Sequence, residues 1–255
     1  MGRSFEEDTN GVMLTAVIFA GLTSLMVLGN YNYFGSTTAE LGSLKEWLVI
    51  PVCGVTGGIL GGLFSHGLII SSRKLIPVAR KRPLQLAGIC GFLVALIGLF
   101  SGNLSYGTGY AEAKTIIATG INPDPLYPLY KLLATVASYL SGIPGGLFAP
   151  SLATGAGLGV DLAGWFPEVS VAAVTILGMV AYFTGVVQTP ITAFVIVMEM
   201  TDNHTMLLPL MATAFIASTV SKLFCPEPIY RALARAFLSP ASPGGVKPES
   251  MPAVK

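Results

Sequence analysis

Long apolar runs separated by short polar or Gly/Pro-rich stretches dominate the chain. Segments 12–29, 47–70, 84–100, 169–187 and 206–224 are long enough, at about 1.5 Å per helical residue, to cross or nearly cross a hydrocarbon core of about 30 Å. None shows the strict apolar/polar alternation of membrane β-strands, so the runs predict helices. Shorter helices are predicted over 111–118, 126–140 and 228–238. Lys131 falls in the second of these, and its long stem is expected to snorkel toward an interface.

Two apolar runs are broken. Between positions 132 and 160 there is no charged residue, yet SGIPGG interrupts the run at 141–146; Gln188-Thr189-Pro190 divides 169–187 from the apolar stretch up to Met200. Breaks of this kind predict discontinuous helix pairs meeting near the middle of a membrane, where irregular backbone survives only against protein or a water-filled cavity.

The first break has the features of a helix start. Gly142, Gly145 and Gly146 permit backbone angles closed to other residues and let a ligand approach the chain, Pro144 stiffens the turn, and Pro150 suits a first helical turn. The N–H groups of Gly146, Leu147 and Phe148 are then expected at the positive end of a helix dipole, a general anion site with no basic side chain beside it.

Composition agrees with a membrane protein: 53% of the 255 residues are hydrophobic and 11% charged, against about 25% charged in soluble domains, and mean hydropathy is +0.71. A net charge of +1 gives no basic face for a nucleic-acid partner. Cys53, Cys90 and Cys225 are too scattered for a disulfide framework or a CxxC metal site and read as packing residues. No catalytic constellation, metal site or cofactor is expected, and the chain does not read as an enzyme.

Gly54, Gly57, Gly58, Gly61 and Gly62 form overlapping small-xxx-small pairs that let another helix come close; their spacing excludes a phosphate loop. His66 reads as a satisfied polar residue. Arg73, Lys74, Arg80, Lys81 and Arg82 gather without an acid in what reads as a loop, placing loop 73–82 and the C-terminus on the cytoplasmic side. Glu199, Asp202 and His204 read as a polar loop in which Asp202 or Asn203 caps the next helix. The division expected is an N-terminal cytoplasmic segment over 1–11, a transmembrane half domain over 12–238 and a disordered tail over 239–255.

GIPGGLFAPSLATGAGLG resembles the GxFxP region of the CLC chloride channels and chloride/proton antiporters, with Gly146, Phe148 and Pro150 at its defining positions. QTPITAFVIVMEMTDNHTMLLPLMATAFIASTVSK resembles the region that follows in that family, and PEPIYRAL resembles the start of its last membrane helix. The resemblance implies an all-α integral membrane protein, the second inverted-repeat half of a CLC-type fold with broken and re-entrant helices. It implies chloride as transported ligand, surrounded by the Leu147 and Phe148 amides and the Tyr230 hydroxyl, to which the helix-start reading adds Gly146; from the residues alone Tyr230 reads as an interfacial aromatic. Membership in a homodimer, with interfaces on the helix after Val12 and on the pair over 190–222, is likewise implied, as is a place in the cell inner or plasma membrane.

The family's first half supplies a GSGIP serine, a GKEGP gating glutamate and an internal proton-transfer glutamate, and this sequence carries none of them; Ser141 is not assigned as the ion-coordinating serine. The expectation is therefore a fragment of a chloride-transporting parent that lacks the N-terminal half of the pore. Two other readings stand beside it: an unrelated broken-helix secondary transporter, and a non-transporting scaffold or partner subunit that complements a separate N-terminal half.

Overall fold

The structure, a computed structural model, describes residues 2–29, 32–143 and 145–238, with side chains from 11 to 233. The tail expected over 239–255, the turn residue Pro144, Tyr31 and the Arg235 side chain lie outside the described residues. Ten α-helices follow one another without a strand among the described residues: α1 Gly2–Leu28, α2 Val49–Lys81, α3 Pro83–Phe100, α4 Tyr110–Thr119, α5 Tyr127–Leu140, α6 Phe148–Ala163, α7 Val171–Val187, α8 Pro190–Thr201, α9 Leu207–Phe224 and α10 Ile229–Leu238. Among the described residues four helical stretches, Gly11–Leu28, Glu46–Lys81, Pro83–Phe100 and Leu207–Leu233, are long and apolar enough to cross a membrane.

α7 is the axis of the packing. It is buried along nearly its whole length, with α6 on one side and α2 and α9 on another. Glycine makes these approaches possible. Gly57 and Gly61 face α7, where an added Cβ would sit 2.5 Å from Ala181 Cβ and 2.7 Å from the Gly185 carbonyl carbon; Gly54 and Gly58, one step round the helix, meet Ile216 and Ala217 of α9 in the same way. α6 repeats the device with Gly155 and Gly159 against α7 backbone. The cost of glycine in a helix, about 1 kcal/mol each relative to alanine, is offset by backbone contacts that no other residue allows. Hydrogen bonds finish the seam: Ser65 Oγ donates to Val186 O at 3.0 Å, Ser221 Oγ donates to Gly185 O, and Gln188 Nε2 donates to Ser221 Oγ at 3.1 Å and to Cys225 O at 2.6 Å.

The boundaries follow the predicted ones with three differences. α1 starts at Gly2, so residues 2–11 are continuous with the first span. α2 continues through Pro77 and the basic segment to Lys81, so Arg73, Lys74, Arg80 and Lys81 sit on a helix and only Arg82 breaks it. The reason is length: 33 residues reach about 50 Å, past the hydrocarbon core, and charge is no obstacle to a helix there. Third, Lys131 does not snorkel but is buried, as described below.

Candidate anion site

α6 begins inside a cavity of about 630 Å³ whose walls come from α3 (Ala87, Cys90, Gly91, Val94), the loop at 105–108, α5 (Ala134, Thr135, Ser138, Tyr139), Ser141, Ile143 and residues 145–150. None of its lining side chains is charged. Leu147 is the N-cap and Phe148 the first helical residue, so Pro150 falls in the first turn as expected. Among the described residues no acceptor is present for the amides of Gly146, Leu147 and Phe148, while Leu147 O already takes the first intrahelical bond, from Ser151 N at 3.1 Å. Partial positive charge therefore gathers at the cavity without a formal cation.

Side chains hold that start rigid. Leu147 is buried, and the Phe148 ring packs edge-on against Phe183 of α7 with centroids 4.5 Å apart. Ser151 Oγ donates to Leu147 O at 2.6 Å. Ser141 Oγ is engaged in the turn itself, donating to Ser138 O at 2.6 Å and accepting from Ile143 N at 3.2 Å. Of the three glycines, Gly142 uses its conformational freedom, with φ +79°; Gly146 needs none of it and instead leaves open space, with nothing within 4 Å of where a Cβ would stand.

Tyr230 is the second residue of α10, half exposed, and is not part of the cavity wall. Tyr139 of α5, by contrast, lines it. Ile229, Ala232 and Leu233 bury the other face of α10, which packs on α2 and α7.

The remaining predicted polar residues fall elsewhere. His66 is exposed on α2. His204 Nε2 lies 3.9 Å from Asp202 Oδ1 near the surface. Asn203 is buried: its Oδ1 accepts from Met206 N at 3.2 Å, supporting the start of α9, while its Nδ2 donates to Ala39 O at 2.8 Å; Asp202 instead closes α8 in a left-handed conformation. Cys53, Cys90 and Cys225 are buried free thiols, consistent with packing. Sequence reasoning missed the cavity's other wall. The polar stretch SGNLSYGTG reads as too polar for lipid and too Gly-rich for a regular helix, and nothing in it announces that Lys131 will hold it.

The profile of the family described as "Voltage gated chloride channel" matches residues 1–222. The chain belongs to that family. An H(+)/Cl(-) exchange transporter ClcA of Yersinia pestis bv. Antiqua (strain Angola) is 30% identical over 242 residues, covering 87% of this chain and 49% of the relative. The H(+)/Cl(-) exchange transporter ClcA of Vibrio cholerae serotype O1 (strain ATCC 39541 / Classical Ogawa 395 / O395) is 32% identical over 205 residues, covering 76% and 43%. The crystal structure of a slow cyanobacterial Cl-/H+ antiporter superposes with a TM-score of 0.71 at 26% identity, covering 88% of this chain and 54% of that one. A CLC-type fluoride/proton antiporter, at 24% identity and a TM-score of 0.67, shares the fold. The chain thus spans about half the length of the curated relatives it matches.

Proposed function

We propose that this chain carries one side of a chloride path across a membrane, within a CLC-type channel or chloride/proton antiporter. The observation that carries the reading is the start of α6: three amides without a described acceptor, at the positive end of a 16-residue helix, opening into an uncharged cavity. Such a site binds an anion through dipoles and hydrogen bonds, firmly enough to strip part of its water and weakly enough to release it. Gly146, Leu147 and Phe148 are the donors in the wall, and the neutral Tyr230 hydroxyl, which stands on α10 outside that wall, is proposed as a further donor that avoids the desolvation cost of a buried cation. Chloride is the ligand that agrees with the relatives' names.

In this reading the 255 residues do not close the path alone, because the matched relatives carry about as much chain again. A polypeptide supplying that length covers the cavity. A second copy of the assembly is proposed against α1, α8 and α9, where Val12, Phe19, Ile191, Leu208 and Phe215 are exposed. The test is radiolabelled chloride uptake into liposomes, with the chain alone and co-reconstituted with the remaining portion of a relative. Uptake only in the combined sample supports the proposal. Selective uptake by the chain alone removes the incompleteness, and no uptake in either removes the path.

A further inference from the structure

The loop over 101–109 joins α3 to α4 and forms one wall of the cavity at Ser105, Tyr106, Gly107 and Thr108. On its α3 side it is held by the Tyr106 hydroxyl, which donates to Ala95 O at 3.2 Å, and by the Ser101 hydroxyl, which donates to Ser105 Oγ at 3.0 Å. On its α5 side, among the described residues, it is held by one group. The ammonium of Lys131, in a side chain with 1% exposure, donates to Ser105 O at 3.1 Å, Tyr106 O at 2.9 Å and Gly107 O at 3.0 Å. An ammonium has three hydrogens, and three carbonyls of consecutive residues take them. Gly109 makes room for this: a Cβ there would stand 2.7 Å from Lys131 Cε and 2.5 Å from Ala153 Cβ, and φ is +80°.

The consequence lies in the peptide planes. No cis bond is present among the described residues, so each unit carries its N–H opposite its C=O. With the Tyr106 and Gly107 carbonyls turned to the ammonium, the N–H groups of Gly107 and Thr108 point away from it, and neither has an acceptor among the described residues. The loop therefore keeps its negative carbonyl ends on the lysine and leaves amide hydrogens free on the side away from it.

We propose that Lys131 is a positioning residue for the anion cavity: it withdraws the carbonyl oxygens of Ser105, Tyr106 and Gly107 from the wall, so that the loop meets an anion with N–H groups, as the start of α6 does. This rests on the anion reading given above and adds a second wall to it. Without the ammonium, three carbonyl oxygens in an apolar surrounding seek other donors, and turning toward the cavity brings negative dipole ends against the ion.

The probe is bromide, titrated calorimetrically into the purified 255-residue chain in detergent, for wild type, Lys131→Met and Lys131→Arg. Lys131→Met is expected to weaken bromide binding by about tenfold or more, the scale of a lost charge-assisted bond. Lys131→Arg, which still donates to the carbonyls, stays within about threefold of wild type. A purely structural lysine predicts that folded Lys131→Met binds as wild type does, and that result overturns the proposal. Should Lys131→Met not fold, amide hydrogen exchange on wild type decides: bromide is expected to slow exchange at Gly107 and Thr108, and unchanged exchange with bromide bound overturns the role. No bromide binding by the wild type contradicts the anion reading itself and this inference with it; normal binding by Lys131→Met contradicts only Lys131.

Discussion

Glycines of this chain divide into those that permit a contact and those that leave a space. Gly61 belongs to the first kind, since an added Cβ would lie 2.7 Å from both Gly185 C and Tyr182 O, backbone atoms that have no rotamer to yield. Gly61→Ala is expected to lower stability by about 1–3 kcal/mol through overpacking of α2 on α7, read as a drop in the thermal midpoint of the purified protein. Gly67, six residues on, is exposed with nothing within 4 Å of its Cβ position. Gly67→Ala is expected to be neutral or to stabilise by about 0.5–1 kcal/mol. Gly146 belongs to the second kind: a Cβ there meets nothing within 4 Å and the backbone is not left-handed, so in Gly146→Leu the fold should persist while the side chain enters the space before α6. Halide binding lost with an unchanged thermal midpoint is the expected outcome for Gly146→Leu.

The break between α7 and α8 is fastened by Gln188, which closes α7 in a left-handed conformation and reaches α9 through Ser221 and Cys225. Gln188→Leu leaves buried acceptors behind and is expected to cost about 1–3 kcal/mol for each group left unpaired, measured by thermal or denaturant unfolding. Both helix breaks were legible in the sequence because Gly and Pro mark them directly, and so was the α6 start, because Pro150 restricts where a first turn can lie. What occupies the breaks was not legible. Gln188 finds its partners 33 and 37 residues away, and Lys131 finds its carbonyls 24 to 26 residues upstream; a lysine on a short amphipathic helix carries no local sign of such a partner. The basic end of α2 was misread as a loop for the opposite reason, since charge marks the edge of a membrane but does not end a helix.

Across the molecule, packing is uneven. α2, α6, α7 and α9 form the interior, while every described side chain of α1 is exposed. A helix whose described side chains bury nothing contributes little stability, so deletion of 1–28 is expected to leave the thermal midpoint of the remainder unchanged in detergent; a large drop contradicts this packing. The exposed apolar surface of α1 suits lipid or another chain, and in the proposed reading the cavity at α6 is one side of the path. All of this turns on whether an anion occupies the start of α6. The direct measurement is bromide anomalous diffraction from crystals of the chain grown in bromide. The account predicts a peak within hydrogen-bonding reach of the Leu147 and Phe148 amides that disappears in Gly146→Leu. Bromide peaks confined to the surface, with none at those amides in well-diffracting wild-type crystals, would contradict it.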